Sequence, residues 1–220
     1  MAKLSRTPII NDFYEQYLRG QDQAAFAKQV ATQYEIPTLE RLAGSGERMS
    51  RRAAVFALGL LSDYESNSIV GRALNDNDRG VRTLADHAIR ALWLRCGSPA
   101  ERKKLAQVVK LNSAQRYDES IQLANYLIDR APWLSEVWNQ RAVAYYSSGR
   151  YHESVNDCVQ SLELNPYHFG AAAGMGQCYL QLGDRSAALE SFRRALRLNP
   201  GLEGVRAQVV YLQRTLKEQQ

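Results

Sequence analysis

Every periodic stretch of this chain places its apolar residues three and four apart, never in strict alternation, which predicts helices throughout and no sheet. Near the start, Phe13, Tyr14, Tyr17 and Leu18 make one apolar stripe on a helix that opens at Asn11, a residue suited to N-capping, and closes at Gly20. A second helix from Asp22 turns Ala25, Phe26, Val30 and Ala31 toward the first, leaving Gln21, Gln23 and Gln29 to water. Residues 1–35 therefore read as a helical hairpin capping one end of an array, with residues 1–8 a mobile end. At the other end Val205, Val209, Leu212 and Leu216 share one face of a helix over 203–218, and Arg206, Gln213, Lys217 and Glu218 share the opposite one, as a closing, solvating helix requires.

Between these ends the pattern repeats at two periods. Arg51, Ala54, Ala57, Leu58 and Leu61 recur 31 residues later as Arg82, Ala85, Ala88, Ile89 and Leu92, and Glu47 recurs as Asp78, so residues 36–97 hold two units. Beyond Gly97 the period is 34. Trp138, Tyr145, Ser154, Cys158 and Pro166 are followed by Ala172, Tyr179, Ala188, Phe192 and Pro200, and Gly149 by Gly183; the same register backward gives Lys104, Leu111, Ser120, Ala124 and Pro132. This divides 98–220 into repeats 101–134, 135–168 and 169–202 followed by the closing helix. Each repeat reads as two helices broken at the glycine and stopped at the proline, with small residues at Ala142, Ser154, Gly176 and Ala188 where the two approach. One such hairpin cannot bury its apolar face alone, so neighbours must stack. The join at Cys96–Glu101 carries a C-terminal glycine, a Ser98/Glu101 capping box and Pro99 in the first helical turn, and is expected to stack both halves as one rigid solenoid.

The 34-residue unit is similar to the tetratricopeptide repeat, with Arg141-Ala142 standing where that family has Leu-Gly and Met175-Gly176 closer to it. The 31-residue unit resembles short HEAT repeats, in which an acidic turn residue and an arginine form a ladder; Glu47, Arg51, Asp78 and Arg82 occupy the matching positions. The two resemblances imply an all-α, right-handed α-α superhelical solenoid of stacked hairpins. They also imply an open face lined by the first helix of each 34-residue hairpin. In this register that face holds Leu105, Val109 and Asn112, then Asn139, Val143 and Tyr146, then Gly170, Ala173, Gly174, Gln177 and Leu180, and finally Tyr211 and Arg214. Glycine within a helix costs about 1 kcal/mol relative to alanine. At Gly176 close packing accounts for it, whereas Gly170 and Gly174 with Ala173 make a shallow floor. Some relatives hold a partner's terminal carboxylate in a clamp of Lys, Arg and Asn; only Asn139 and Arg214 fit that description, and they lie far apart. The face instead suits a helix or extended peptide.

Composition removes other classes. No apolar run nears the ~20 residues of a membrane span, and MAKLSRTPII lacks a secretory h-region, so a cytoplasmic protein is expected. The net charge of +5 is spread evenly, and the densest basic group, Arg193, Arg194 and Arg197, reads as a solvated outer face, so neither nucleic acid nor membrane is an expected partner. Cys96, Cys158 and Cys178 form no CxxC pair and His87, His152 and His168 are scattered, which argues against a metal, a cofactor or an enzyme. Cys158 and Cys178 read as small reduced core residues, although adjacent helices make a disulfide conceivable. The alternative to an interaction scaffold is an accessory or catalytic subunit of the short-HEAT, bilin-lyase-like type; hydroxylases of that group use repeated His-Glu pairs, and Asp86-His87 occurs once. A monomer or weak dimer binding a protein or peptide is the expectation.

Overall fold

The structure, a computed structural model, describes residues 8–218, and these form two compact units, one ending at Leu92 and the other beginning at Trp93. Among the described residues all regular structure is helical. Most of the stretch expected as a mobile end, residues 1–7, lies outside them.

The first unit opens with α1 (Ile10–Gly20) and α2 (Gln23–Gln33). The helix starts one residue before the expected cap. Asn11 is buried inside it, and its side-chain oxygen accepts the Ser50 hydroxyl at 2.9 Å, so this polar residue serves a tertiary contact. Gly20 ends α1, but the left-handed turn residue is Gln21, and the Asp22 side chain caps α2 by accepting from Ala25 N–H. Phe26 and Val30 are buried as expected, whereas Ala25, Ala31 and Leu18 are exposed. The reason is a neighbour the periodicity does not reveal. Tyr14, Tyr17 and Phe26 gather around Phe56 of α4 (Arg48–Leu61), with ring centroids 4.5–6.1 Å apart, so the hairpin leans on α4 and not only on itself. α3 (Ile36–Ser45) packs along α4, with Pro37 in its first turn, and a 3-10 turn at Tyr64–Ser66 leads into α5 (Asn67–Ala73). In α6 (Arg79–Leu94), Ala88 comes so near Gly59 that a Cβ there would lie 2.7 Å from the Ala88 methyl.

The second unit is a run of hairpins: α7 (Pro99–Ser113) with α8 (Tyr117–Arg130), α9 (Ser135–Ser147) with α10 (Tyr151–Leu164), and α11 (Phe169–Gln181) with α12 (Arg185–Leu198), closed by α13 (Glu203–Glu218). The capping box at Ser98 and Glu101 forms as the sequence indicates. Each hairpin turns through a left-handed residue, Gln115, Gly149 and Gly183, and the next backbone N–H reaches back to the carbonyl of Leu111, Tyr145 and Tyr179 at 2.8–2.9 Å. This is the Schellman closure that glycine favours. Asn165 and Asn199 bend the chain out of α10 and α12, each accepting a backbone N–H two residues on, ahead of prolines that disfavour a further helical turn. α7, α9 and α11 pack directly along one another, a closeness that α8, α10 and α12 do not share. The first helices thus form the inner row. Val209 and Leu212 of α13 bury against Leu189 and Phe192, closing the last hairpin.

Candidate functional site

The small residues expected at hairpin contacts are tightly constrained. A Cβ on Gly176 would sit 2.6 Å from the Phe192 ring, and the Ser154 hydroxyl donates to the Ala142 carbonyl at 2.8 Å, tying α10 to α9. Gly174 is different: a Cβ there meets only the Cys158 sulfur, at an ordinary 3.6 Å. One on Gly170 would meet the His168 ring at 3.4–3.5 Å.

The residues expected on the open face divide into three groups. Leu105 does not line a surface, being 1% exposed and packed with Val108, Leu127 and Val137; the stripe it belongs to points into the α7–α8 core. Val109 and Leu180 are partly covered by their core neighbours. Asn112, Asn139, Tyr146, Gly170, Ala173, Gly174 and Gln177 are half-buried along the inner row, Val143 is 42% exposed among them, and Tyr211 and Arg214 stand exposed on α13. The result is a row of small, amide and apolar side chains in which Arg214 alone is charged.

The tetratricopeptide repeat family model matches residues 135–168 and 171–202. Those two segments are tetratricopeptide repeats. Among curated relatives, a TPR repeat-containing protein of Rhizobium etli is 27% identical over 121 residues, 55% of this chain and 59% of its own length. DnaJ homolog subfamily C member 7 of Homo sapiens is 32% identical over 83 residues, 38% of this chain and 17% of that protein, so the chain spans only part of either relative. Two solved structures share the fold. The first TPR of Spaghetti (RPAP3) bound to HSP90 peptide SRMEEVD aligns with a TM-score of 0.52 at 21% identity, covering 55% of this chain and 96% of that one. The Sgt2 TPR domain from Aspergillus fumigatus aligns with a TM-score of 0.52 at 20% identity, covering 55% and 82%.

Beneath the inner row lies a polar cluster that periodicity does not announce. Glu136 is buried in the first turn of α9 and accepts Asn139 Nδ2 at 3.2 Å, Gln140 Nε2 at 2.7 Å and His168 Nε2 at 2.8 Å. His168, 1% exposed, accepts the Ala171 N–H on Nδ1, which leaves its donor proton on Nε2 facing Glu136. Its ring stacks on Trp93 at 4.1 Å. Burial pushes the Glu136 carboxyl up, but the hydrogen bond and electrostatic attraction of His168, followed by the bonds from Gln140 and Asn139, outweigh it and hold the group below its ordinary value, ionised. Glu136 and His168 stand at the start of one repeat and the end of the same repeat, 32 residues apart. Stacked hairpins bring such repeat ends together.

The departure at Arg141 also acquires a cause. Its guanidinium makes a bidentate pair with Asp157 of α10 at 2.7 Å, donates to Asn125 and lies 4.9 Å over the Trp138 ring, so charge pairing replaces apolar packing in this hairpin. Cys158 and Cys178 are buried free thiols; burial pushes both up, and the Cys178 thiol donates to Ser154 at 3.1 Å.

In the first unit the ladder residues pair differently from the expected register. Arg51 makes its bidentate pair with Asp76, not with Glu47, and Asp78 pairs with Arg52, not with Arg82. Glu47 precedes α4 with no side-chain capping bond, and Arg82 donates to the Asp76 and Asn77 carbonyls. A side chain one turn inside its own helix points along that helix, whereas the loop of the next repeat lies across it. The Arg52 hydrogen bonds hold the Asp78 carboxyl down to about 2.

Proposed function

We propose that the second unit is a non-catalytic protein-interaction module that takes a helix or extended peptide along the inner row of α7, α9 and α11, with Tyr211 and Arg214 of α13 at one end. The observation that carries this reading is Val143, 42% exposed in the middle of α9, a helix that packs along α11, where Gly170, Ala173 and Gly174 stand half-buried. An apolar side chain held in water beside a strip without bulk is what an incoming backbone needs, and it gives a reason for glycines that cost a helix about 1 kcal/mol each. The neighbour's HSP90 peptide shows the kind of occupant this fold holds elsewhere. For residues 36–97 we propose two short HEAT-like repeats, supported by the 31-residue recurrence and the pairing of Arg51 and Arg52 with carboxylates of the following loop.

The test is partner capture by variants that block the floor, Ala173→Arg and Gly174→Leu, beside Arg194→Glu on α12. Both floor variants should fold, by melting curve, and lose the captured proteins while the control keeps them. Folded floor variants that retain every partner while the control loses them would move binding to the outer helices.

A further inference from the structure

The closing helix does not end the array as a solvating helix should. α13 packs on α12 as α9 packs on α8 and α11 on α10, and it turns Val209 and Leu212 inward. A closing helix is polar on its other side, yet Val210 and Tyr211 are each 60% exposed in mid-helix. The 34-residue register gives Val210 a meaning. It stands where the two preceding repeats have Ala142 and Gly176, both buried under the second helix of their own hairpin: the Ser154 hydroxyl of α10 donates to the Ala142 carbonyl, and the Phe192 ring of α12 lies against Gly176. Among the described residues no second helix follows α13, so the position that receives a helix in the two earlier repeats is open here. Around Val210 the exposed stripe of α13 runs Glu203, Ala207, Val210 and Arg214, spaced four, three and four residues apart as one face of a helix. Its order is acid, small, large, base. An antiparallel copy meets that order reversed, with Glu203 opposite Arg214 and Ala207 opposite Val210, each contact made twice about a two-fold axis, which is the self-complementarity an isologous interface requires. A parallel copy would set each charge on its like. Neither Glu203 nor Arg214 has a side-chain partner among the described residues, so both charges are free to pair.

We infer that α13 is the interface of a weak two-fold dimer, its outer face covered by the antiparallel α13 of a second copy of this chain. Val210 is too large for the close helix approach made at Gly176, where even a Cβ would lie 2.6 Å from the Phe192 ring, but it fits the space over Ala207 of the other copy. Tyr211 flanks the stripe and leaves water along the same contact. One helix face is a small interface and exposed ion pairs add little each, which makes the dimer concentration-dependent and not permanent. The inference does not rest on the groove of the inner row. Tyr211 and Arg214 border both surfaces, but self-association is read with no ligand present.

The experiment is sedimentation equilibrium of the full chain over a concentration series, beside three variants at exposed positions whose melting curves should stay close to that of wild type. Wild type should follow a monomer–dimer equilibrium that stops at the dimer. Val210→Glu, which puts a carboxylate over Ala207 of the other copy, should weaken it by at least about tenfold. Glu203→Arg and Arg214→Glu should each weaken it by about tenfold, because each turns both ion pairs into like-charge contacts. Mixed in equal amounts, these two charge variants should associate again at the wild-type strength, since one chain then carries arginine at both positions and the other carries glutamate at both. That recovery is specific to the antiparallel pairing. Monomer at every concentration, a dimer indifferent to Val210→Glu, growth beyond the dimer, or charge variants that do not recover on mixing overturns the inference.

Discussion

Glu136 and His168 form a buried pair that ties the start of one repeat to its end. The carboxylate is stable in the interior only because it collects donors from Asn139, Gln140 and His168. Truncating His168 leaves an ionised group short of a partner, so His168→Ala should cost about 3 kcal/mol or more of unfolding free energy by denaturant titration. The pH dependence has a definite sign. Because the folded-state value of Glu136 is depressed, its contribution is present above the ordinary glutamate value of about 4.3 and is lost as pH falls through the lower folded value. The stability difference between wild type and Glu136→Gln should accordingly be largest near neutrality and shrink below about pH 4; a difference constant from pH 7 to pH 3 would contradict the assignment. Neither residue stands out in the sequence, since one glutamate among 23 acidic residues and one histidine at a repeat end carry no periodic signature.

At the scale of helices and hairpins much was legible, because glycine and proline act locally. Gly149, Gly183, Pro166 and Pro200 break the chain where their backbone preferences require, and the Ser98/Glu101 box opens α7 where it was expected. What escaped was tertiary. Gln115 adopts the left-handed turn without being glycine, Asn11 is drawn into a buried contact with Ser50, and the arginine pairs in the first unit cross to Asp76 and Asp78 of the next loop. The glycines of α11 separate these cases experimentally. Gly176→Ala puts a methyl into the Phe192 ring and should destabilise by about 1–3 kcal/mol, whereas Gly174→Ala gains helix propensity at ordinary contact distance and should stabilise by up to about 1 kcal/mol. Thermal melts of the two variants in parallel check this; equal shifts would mean that the α11–α12 approach is looser than described.

For the second unit as a whole, the 34-residue period made the stacking of hairpins readable, and with it the row of first helices. It could not say which face residues are consumed by the core, and so Leu105 was expected at the surface and is buried. Nor could it show that the polar residues of that row are arranged around a single charge. The claim on which the functional account rests is that a ligand lies on this row and not on α8, α10 and α12. Covalent side-chain footprinting of the full chain, with and without a captured partner, tests it most directly, because both rows offer reference residues of comparable exposure: Val143 inside, at 42%, and Val159 and Leu164 of α10 outside, at 38% and 37%. The account predicts that the partner suppresses labelling of Val143, Tyr146 and Gln177 and leaves Val159 and Leu164 unchanged; protection of Val159 and Leu164 with Val143 still labelled would contradict it.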